Sequence, residues 1–199
     1  MVDYDYRERF KDYFGRIFYL SILSRLELMV ITDKLSDSHL LKSIERNDYS
    51  VIMNLTPEEM FTSIFNLEVT EDSFLKYNDA YWCGYVYAEL FYRVEKTFPY
   101  IFLVLPLDEL LSKYDVYHEM DISQIIDYFH KREDEETILT RLIKKRKITI
   151  TELSELSGVP LQTLKKYKKS NEHIYGANFT TIKKIAVALE VDDRVFMKS

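Results

Sequence analysis

The segment from residue 161 to residue 169 carries side chains suited to nucleic-acid chemistry. Gln162 can form paired hydrogen bonds with the edge of an adenine, and Thr163 can hydrogen-bond or place its methyl group against a thymine. Four cations could neutralise phosphate charge: Lys165, Lys166, Lys168 and Lys169. Because Leu164 and Tyr167 recur three residues apart, the spacing predicts a short helix with an apolar inner face and a polar outer face.

A tight turn must present this helix, and the residues before it are suited to that task. Gly158 supplies the positive φ of a sharp turn, Val159 can fill the space between two helices, and Pro160 fits a helix start. Two helices joined at a steep angle by a short glycine turn form a helix-turn-helix. The second helix of that motif enters the major groove of DNA with its N-terminal end foremost.

The flanking residues predict further short helices. Ile138–Arg146 is predicted as the first helix, and residues 149–151 can cap the second, which is expected to turn Leu153 and Leu156 inward. Residues 180–190 predict another amphipathic helix. The C-terminal region is therefore predicted to hold four to five helices.

Charge divides the chain into two parts. Residues 136–199 contain 13 Lys and Arg against 7 Asp and Glu, whereas the whole chain has a net charge of −6. We therefore predict an acidic, aromatic-rich helical domain over residues 1–135, serving dimerisation or partner binding, and a DNA-binding domain over residues 136–199. The charge run over residues 131–136 marks the boundary, either as a helix end or as a flexible linker.

The acidic part is also predicted to be helical, so the expected fold class is all-α. Only four glycines and four prolines occur, which is few for a β-protein. Predicted helices cover residues 5–30, 37–45, 56–66, 78–95, 106–114 and 122–131, while residues 100–104 remain ambiguous between helix and strand. In the fourth of these, Ala80, Gly84 and Ala88 form a strip that a second helix can approach closely. We expect Trp82 and Phe91 of this helix in the core, and leave Tyr87 open between core and interface.

The C-terminal third resembles the phage-repressor or XRE type of helix-turn-helix protein. The resemblance rests on residues 142–167, above all the run Glu-Leu-Ser-Glu-Leu-Ser-Gly-Val-Pro, and on residues 179–189 with Ile-Ala-Val-Ala-Leu. It implies a sequence-specific transcriptional regulator that binds double-stranded DNA, and a homodimer is expected because one such helix covers only a half-site. The implied base-reading residues are Leu161, Gln162, Thr163 and Lys166.

The same resemblance implies phosphate contacts near the start of the second helix and after the third. Thr151 and Lys145 are candidates, although the cations over residues 144–147 are equally suited to a solvated helix end. Thr151 or its neighbour Ile150 stands where the family often has glutamine. The loop over residues 170–178 is also longer than the common form, which leaves the base contacts open.

A second hypothesis concerns the acidic part. Residues 81–87 and 117–121 resemble uncharacterised proteins of Gram-positive bacteria, some of them encoded beside toxin-like genes. This implies an antitoxin or adaptor whose N-terminal domain binds a partner such as a toxin, with the helix-turn-helix regulating its own operon.

An enzyme is the third and weakest alternative. His118, Glu119 and Asp121 could bind a metal or transfer protons, but no second histidine stands at a useful helical offset, and no catalytic motif occurs. The simpler interpretation is that Asp121 caps a helix. We therefore predict no catalytic activity, no metal and no cofactor.

Composition also bears on location. The single cysteine, Cys83, fits a reducing compartment, and the N-terminus lacks a signal-peptide pattern. The longest apolar stretch, residues 100–107, is too short to span a bilayer. A cytoplasmic protein without a membrane segment is expected.

Overall fold

The chain is helical throughout the part that the computed structural model describes, residues 2–69 and 78–197. These two ranges hold fifteen α-helices, one 3-10 helix and no β-strand, so the predicted all-α class is confirmed. None of the helices described there is both long and apolar enough to cross a membrane. Ten helices precede residue 137: α1 (Val2–Leu23), α2 (Leu28–Asp37), α3 (His39–Ile44), α4 (Ser50–Asn54), α5 (Pro57–Phe65), α6 (Asp79–Val94), α7 (Phe98–Val104), α8 (Leu107–Leu111), α9 (Tyr114–Tyr117) and α10 (Ile122–Glu135).

The first predicted helix is in fact two helices. Residues 5–30 were expected to be one helical stretch, but α1 ends at Leu23 and α2 begins at Leu28. Arg25 adopts a left-handed φ of 56°, and the amide of Leu26 donates to the carbonyl of Ser21 at 3.3 Å. Because this 6→1 bond closes the last turn of α1, the chain changes direction there without a glycine.

Helices α1 and α6 cross at the centre of the N-terminal part. The small-residue strip of α6 allows the close approach, as predicted, and its tightest point is Gly84. A Cβ added to Gly84 would stand 2.5 Å from the carbonyl oxygen of Phe14 and 2.7 Å from the Cα of Gly15. The two backbones are therefore in direct contact, and only glycine fits at this position.

An aromatic core surrounds this crossing. Phe10, Phe14 and Phe18 of α1 are fully buried at four-residue steps. Tyr87, which the sequence left open, is also fully buried, and its hydroxyl donates to the carbonyl of Leu105 at 2.8 Å. Trp82 and Phe91 were expected in the core, but they are only partly buried at its edge. The ambiguous residues 100–104 belong to α7.

The C-terminal part continues the same helical packing. The charge run is a helix end and not a linker, because α10 runs to Glu135 and only Glu136 and Thr137 separate it from the next helix. The remaining helices are α11 (Ile138–Arg146), α12 (Ile150–Ser157), α13 (Leu161–Lys169), α14 (Asn171–Tyr175), α15 (Phe179–Leu189) and the 3-10 helix Asp193–Phe196. One hydrophobic core extends through both parts, since α7 packs against α11 and against the 3-10 helix.

Polar contacts of Arg194 reinforce this junction. Its guanidinium pairs with Asp192 beside it and with Glu45 at the end of α3, and it donates to the carbonyl of Ser36. Thr97, immediately before α7, donates to the carbonyl of Arg194 at 3.0 Å. The side chains of Arg194 and Glu45 are 15% and 11% exposed. A charge-assisted network this well buried holds the 3-10 helix to the N-terminal part.

Candidate DNA interface

Local side-chain chemistry defines the start of α12. Thr149 is the N-cap: its hydroxyl accepts from the amide of Glu152 at 3.2 Å, and the Glu152 carboxylate accepts from the amide of Thr149 at 2.6 Å. This reciprocal capping box satisfies two amides that the helix leaves without intrahelical partners. The hydrogen bonds from Thr149 lower the pKa of Glu152, so the cap is intact at neutral pH.

The turn after α12 has the geometry that its sequence predicts. Gly158 adopts φ 65° and ψ 15°, and its amide donates to the carbonyl of Ser154 at 3.0 Å. A Cβ at Gly158 would meet no atom of the described residues within 4 Å, so backbone conformation and not space requires glycine there. Val159 is buried between the helices, as expected.

Two serines that the sequence analysis did not single out also hold this turn. The hydroxyl of Ser154 donates to the carbonyl of Val159 at 2.7 Å. Ser157 donates to the carbonyl of Leu153 at 2.6 Å and accepts from the amide of Val159 at 3.2 Å. Short hydroxyl side chains just before a turn glycine often form hydrogen bonds with the local backbone. The serines before Gly158 could therefore have been predicted from the sequence to stabilise the turn.

The turn presents α13 with the predicted face outward. Leu164 is fully buried and Tyr167 is nearly so. Leu161 and Thr163 are partly exposed at the start of the helix. The long polar side chains of α13 are exposed to solvent: Gln162, Lys165, Lys166, Lys168 and Lys169. Helix α13 packs mainly against α11, α12 and α14, so its outer face is open to solvent.

The four lysines of α13 differ from the cations in the last turn of α11. Within the described residues, no carboxylate lies within 4.0 Å of Lys165, Lys166, Lys168 or Lys169. In contrast, Lys144 pairs with Glu136, Lys145 with Asp33 at 3.0 Å, and Arg146 with Glu190. The outer face of α13 thus concentrates positive charge that its surroundings leave unneutralised.

Thr151 and Lys145 lie apart from that face. Thr151 is exposed in the first turn of α12. Lys145 lies near the C-terminal end of α11, where its ammonium faces α2 through Asp33. The structure therefore gathers the predicted residues of α13 on one short helix, but it places Lys145 at the junction with the N-terminal part.

One expectation about this region was wrong. Leu156 was expected to face inward, but it is 65% exposed, because Leu153 and Ser157, four residues apart, form the buried edge of α12. The long loop over residues 170–178 contains the helix α14. Ser170 caps that helix by accepting from the amide of Glu172 at 3.3 Å, and Ile174 anchors it in the core.

The residues proposed for the enzyme alternative have structural partners. Asp121 is the N-cap of α10 and accepts from the amide of Ser123 at 2.8 Å. Hydrogen bonds from the side chain and the amide of Ser123 lower the pKa of the Asp121 carboxyl. The ring of His118 stacks on the ring of Tyr114, with 4.4 Å between the two ring centroids. Across the described part of the chain, no group of three or more His, Cys, Asp or Glu side chains could hold a metal ion.

Comparison with known proteins agrees with this geometry. No curated protein and no solved structure matches the chain. Residues 139–192, which run from α11 to the residues just after α15, match the family of the Cro/C1-type HTH DNA-binding domain. The chain therefore carries, in its C-terminal third, a domain of the Cro/C1-type helix-turn-helix family.

Proposed function

We propose that the protein is a sequence-specific transcriptional regulator that reads DNA by placing α13 in the major groove. The observation that carries this proposal is the set of four exposed, unpaired lysines on α13 beside Gln162. Lys144, Lys145 and Arg146 of α11 have carboxylate partners, whereas the lysines of α13 remain available to contact a phosphate backbone. Cro/C1-type domains are typically non-enzymatic, and we propose no catalytic role. This function would place the protein in the cytoplasm.

Individual residues then take distinct roles. Gln162 would pair with an adenine, while Leu161 and Thr163 would contact bases through apolar surface. The four lysines would contact phosphates, as would Thr151 at the start of α12, and Lys166 would also reach a base edge. The protein would bind as a homodimer, because a pair of recognition helices covers two half-sites one helical turn apart. The two-domain division at residue 136 remains part of this proposal.

DNA binding is best tested on genomic DNA fragments that the full-length protein recovers in a pull-down. Fluorescence anisotropy would compare wild type, Gln162→Ala, Lys166→Ala and the control Lys131→Ala, which removes an exposed cation from α10. We expect Gln162→Ala to relax discrimination at one base position by about 1–3 kcal/mol. Lys166→Ala should reduce the slope of log K against log salt by about 0.9. If both variants behave like Lys131→Ala, α13 is not the recognition helix.

A cavity in the N-terminal part favours a second candidate function, the binding of a protein partner. This cavity of about 560 Å³ is lined by Trp82, Tyr85 and Tyr114 together with Glu8 and Asp12. Aromatic faces beside carboxylates attract cations, and aromatic residues are enriched at protein interfaces. We infer that a lysine or arginine of a partner, such as a toxin in the antitoxin hypothesis, would occupy it.

The partner hypothesis is tested by purifying tagged full-length protein from its native cells. We expect a stoichiometric partner with wild type and with Gln162→Ala, and its loss with Trp82→Ala plus Tyr85→Ala. Equal recovery of the partner with the double variant would exclude this cavity. Recovery of no partner with any of them, at native expression, would leave only the regulator function.

A further inference from the structure

A second cavity lies where the helix-turn-helix domain meets the rest of the chain. It has a volume of about 480 Å³ and is bounded by α2, by the α7–α8 connection and by α11. Apolar side chains form much of its wall, including Met29, Phe102 and Leu103. Cavities that hold small molecules typically have a volume of about 300–1,000 Å³ and combine apolar walls with a few polar groups.

Arg141 also lines this cavity, and its guanidinium lacks an acidic partner. Arg141 is only 8% exposed, and its Nη2 donates to the carbonyl of Arg132. Its Nε is buried and has no hydrogen-bond partner in the described part of the chain. Among those residues, no carboxylate lies within 4.0 Å of its guanidinium. A buried charge without a counterion is unfavourable, and a buried donor without an acceptor adds to this.

The other charged groups in the cavity wall are either paired or exposed, so none of them compensates the charge of Arg141. Lys144 and Glu136 neutralise each other, and Lys145 is paired with Asp33. Asp108 is exposed in the first turn of α8. Burial lowers the pKa of Arg141, and the nearby charge of Arg132 lowers it further. The uncompensated charge in the cavity is therefore positive and belongs to Arg141.

We propose that this cavity binds a small amphipathic carboxylate, whose apolar body contacts Met29, Phe102 and Leu103 and whose carboxylate pairs with Arg141. Hydrogen bonds between a guanidinium and a carboxylate are charge-assisted and therefore among the strong ones in proteins. Arg141 belongs to the first helix of the helix-turn-helix domain, whereas α2 and α7 belong to the rest of the chain. The bound molecule would thus contact both parts at once. The site does not depend on DNA binding by α13.

The experiment uses the full chain without DNA and three probes: octanoate, decanoate and 2-naphthoate. Octanol, which has the octyl chain without the charge, is the matched neutral ligand. Isothermal titration calorimetry and thermal shift would compare wild type with Arg141→Gln, Met29→Trp and the control Lys131→Ala. We expect at least one carboxylate to bind saturably and octanol to bind at least tenfold more weakly. Arg141→Gln should lower the carboxylate affinity at least tenfold, whereas Lys131→Ala should leave it unchanged.

The second variant covers the case in which Arg141→Gln fails to fold. Met29 is largely exposed at the cavity mouth, so Met29→Trp narrows the cavity without disturbing the core or the charge. We expect this variant to fold and to lose carboxylate binding. The proposal is overturned if none of the three carboxylates binds wild type, if octanol binds as tightly as octanoate, or if Met29→Trp binds the carboxylate like wild type.

Discussion

The ammonium of Lys145 lies 3.0 Å from the carboxylate of Asp33, and this contact joins α11 to α2. The two side chains are 35% and 59% exposed, so the pair contributes little to folding stability. The pair bears on the DNA-binding hypothesis, because the sequence predicts Lys145 as a phosphate contact and Asp33 neutralises its charge.

Asp33→Asn should therefore tighten DNA binding. We expect up to about a fivefold gain, the equivalent of 1 kcal/mol, from releasing the Lys145 charge. The gain should vanish in a Lys145→Ala background. Asp37→Asn is the matched control, since it removes the same charge from the same helix. A gain that is equal for both aspartates, or that persists without Lys145, would argue against Lys145 as a DNA contact.

Gly158→Ala should destabilise the protein through backbone conformation alone. Its φ of 65° is unfavourable for a residue with a Cβ, and no atom of the described residues lies close enough to clash. We expect a loss of about 1–2 kcal/mol in the free energy of unfolding, measured by urea denaturation. Gly176→Ala is the control, because φ there is −84° and alanine should be neutral or slightly stabilising. Equal stability of the two variants would contradict the left-handed turn.

A buried ion pair at the α1–α6 crossing predicts that part of the folding stability depends on pH. Lys11 lies 2.7 Å from Glu89, and both side chains are nearly buried. Burial opposes the charged form of Glu89, but hydrogen bonds from Lys11 and Arg93 outweigh it and hold the Glu89 pKa below its ordinary value of 4.5. Because the folded-state pKa is depressed, this contribution is complete above pH 4.5 and is lost as the pH falls through the folded-state pKa.

Glu89→Gln should therefore lower the free energy of unfolding by about 3 kcal/mol at pH 7, since it leaves Lys11 buried with only the Glu8 pair. The difference from wild type should shrink below pH 4.5. Urea titrations at pH 7 and pH 3.5 measure both values, with the exposed Glu119→Gln as control. A difference that is independent of pH would show that the carboxylate charge of Glu89 contributes nothing.

The exposed side of α15 predicts how two copies associate. Phe179 and Val187 lie eight residues apart on one face with Lys183 between them, and Val187 is 77% exposed. We expect Val187→Asp to weaken self-association by about tenfold, or 1.4 kcal/mol, in sedimentation equilibrium, without lowering thermal stability. Thr180→Asp, on the same helix, should dimerise like wild type. If Val187→Asp self-associates as strongly as wild type, the proposed dimer does not use this surface.

Local signals in the sequence predicted the elements that position α13. Thr149 as a cap, Gly158 as a turn residue and Leu164 as a core residue depend on neighbours within a few positions, and all three are confirmed. Long-range packing determines which side chains of a helix are buried, and the sequence alone did not predict this for every residue. Leu156 faces solvent because α12 packs on its neighbours through Leu153 and Ser157, and Arg141 is buried where α11 packs against α7.

The firm junction between the two parts has a consequence for the DNA target. Arg194 is tied to Glu45, and only Glu136 and Thr137 separate α10 from α11. In the proposed homodimer, α13 would therefore keep a fixed position relative to the N-terminal part of its own copy. Adding one base pair between two half-sites rotates one of them by about 34° and shifts it by about 3.4 Å. A proposed dimer with no hinge at this junction among the described residues could not follow that change there, so we expect its operators to share one fixed spacing even where their bases differ.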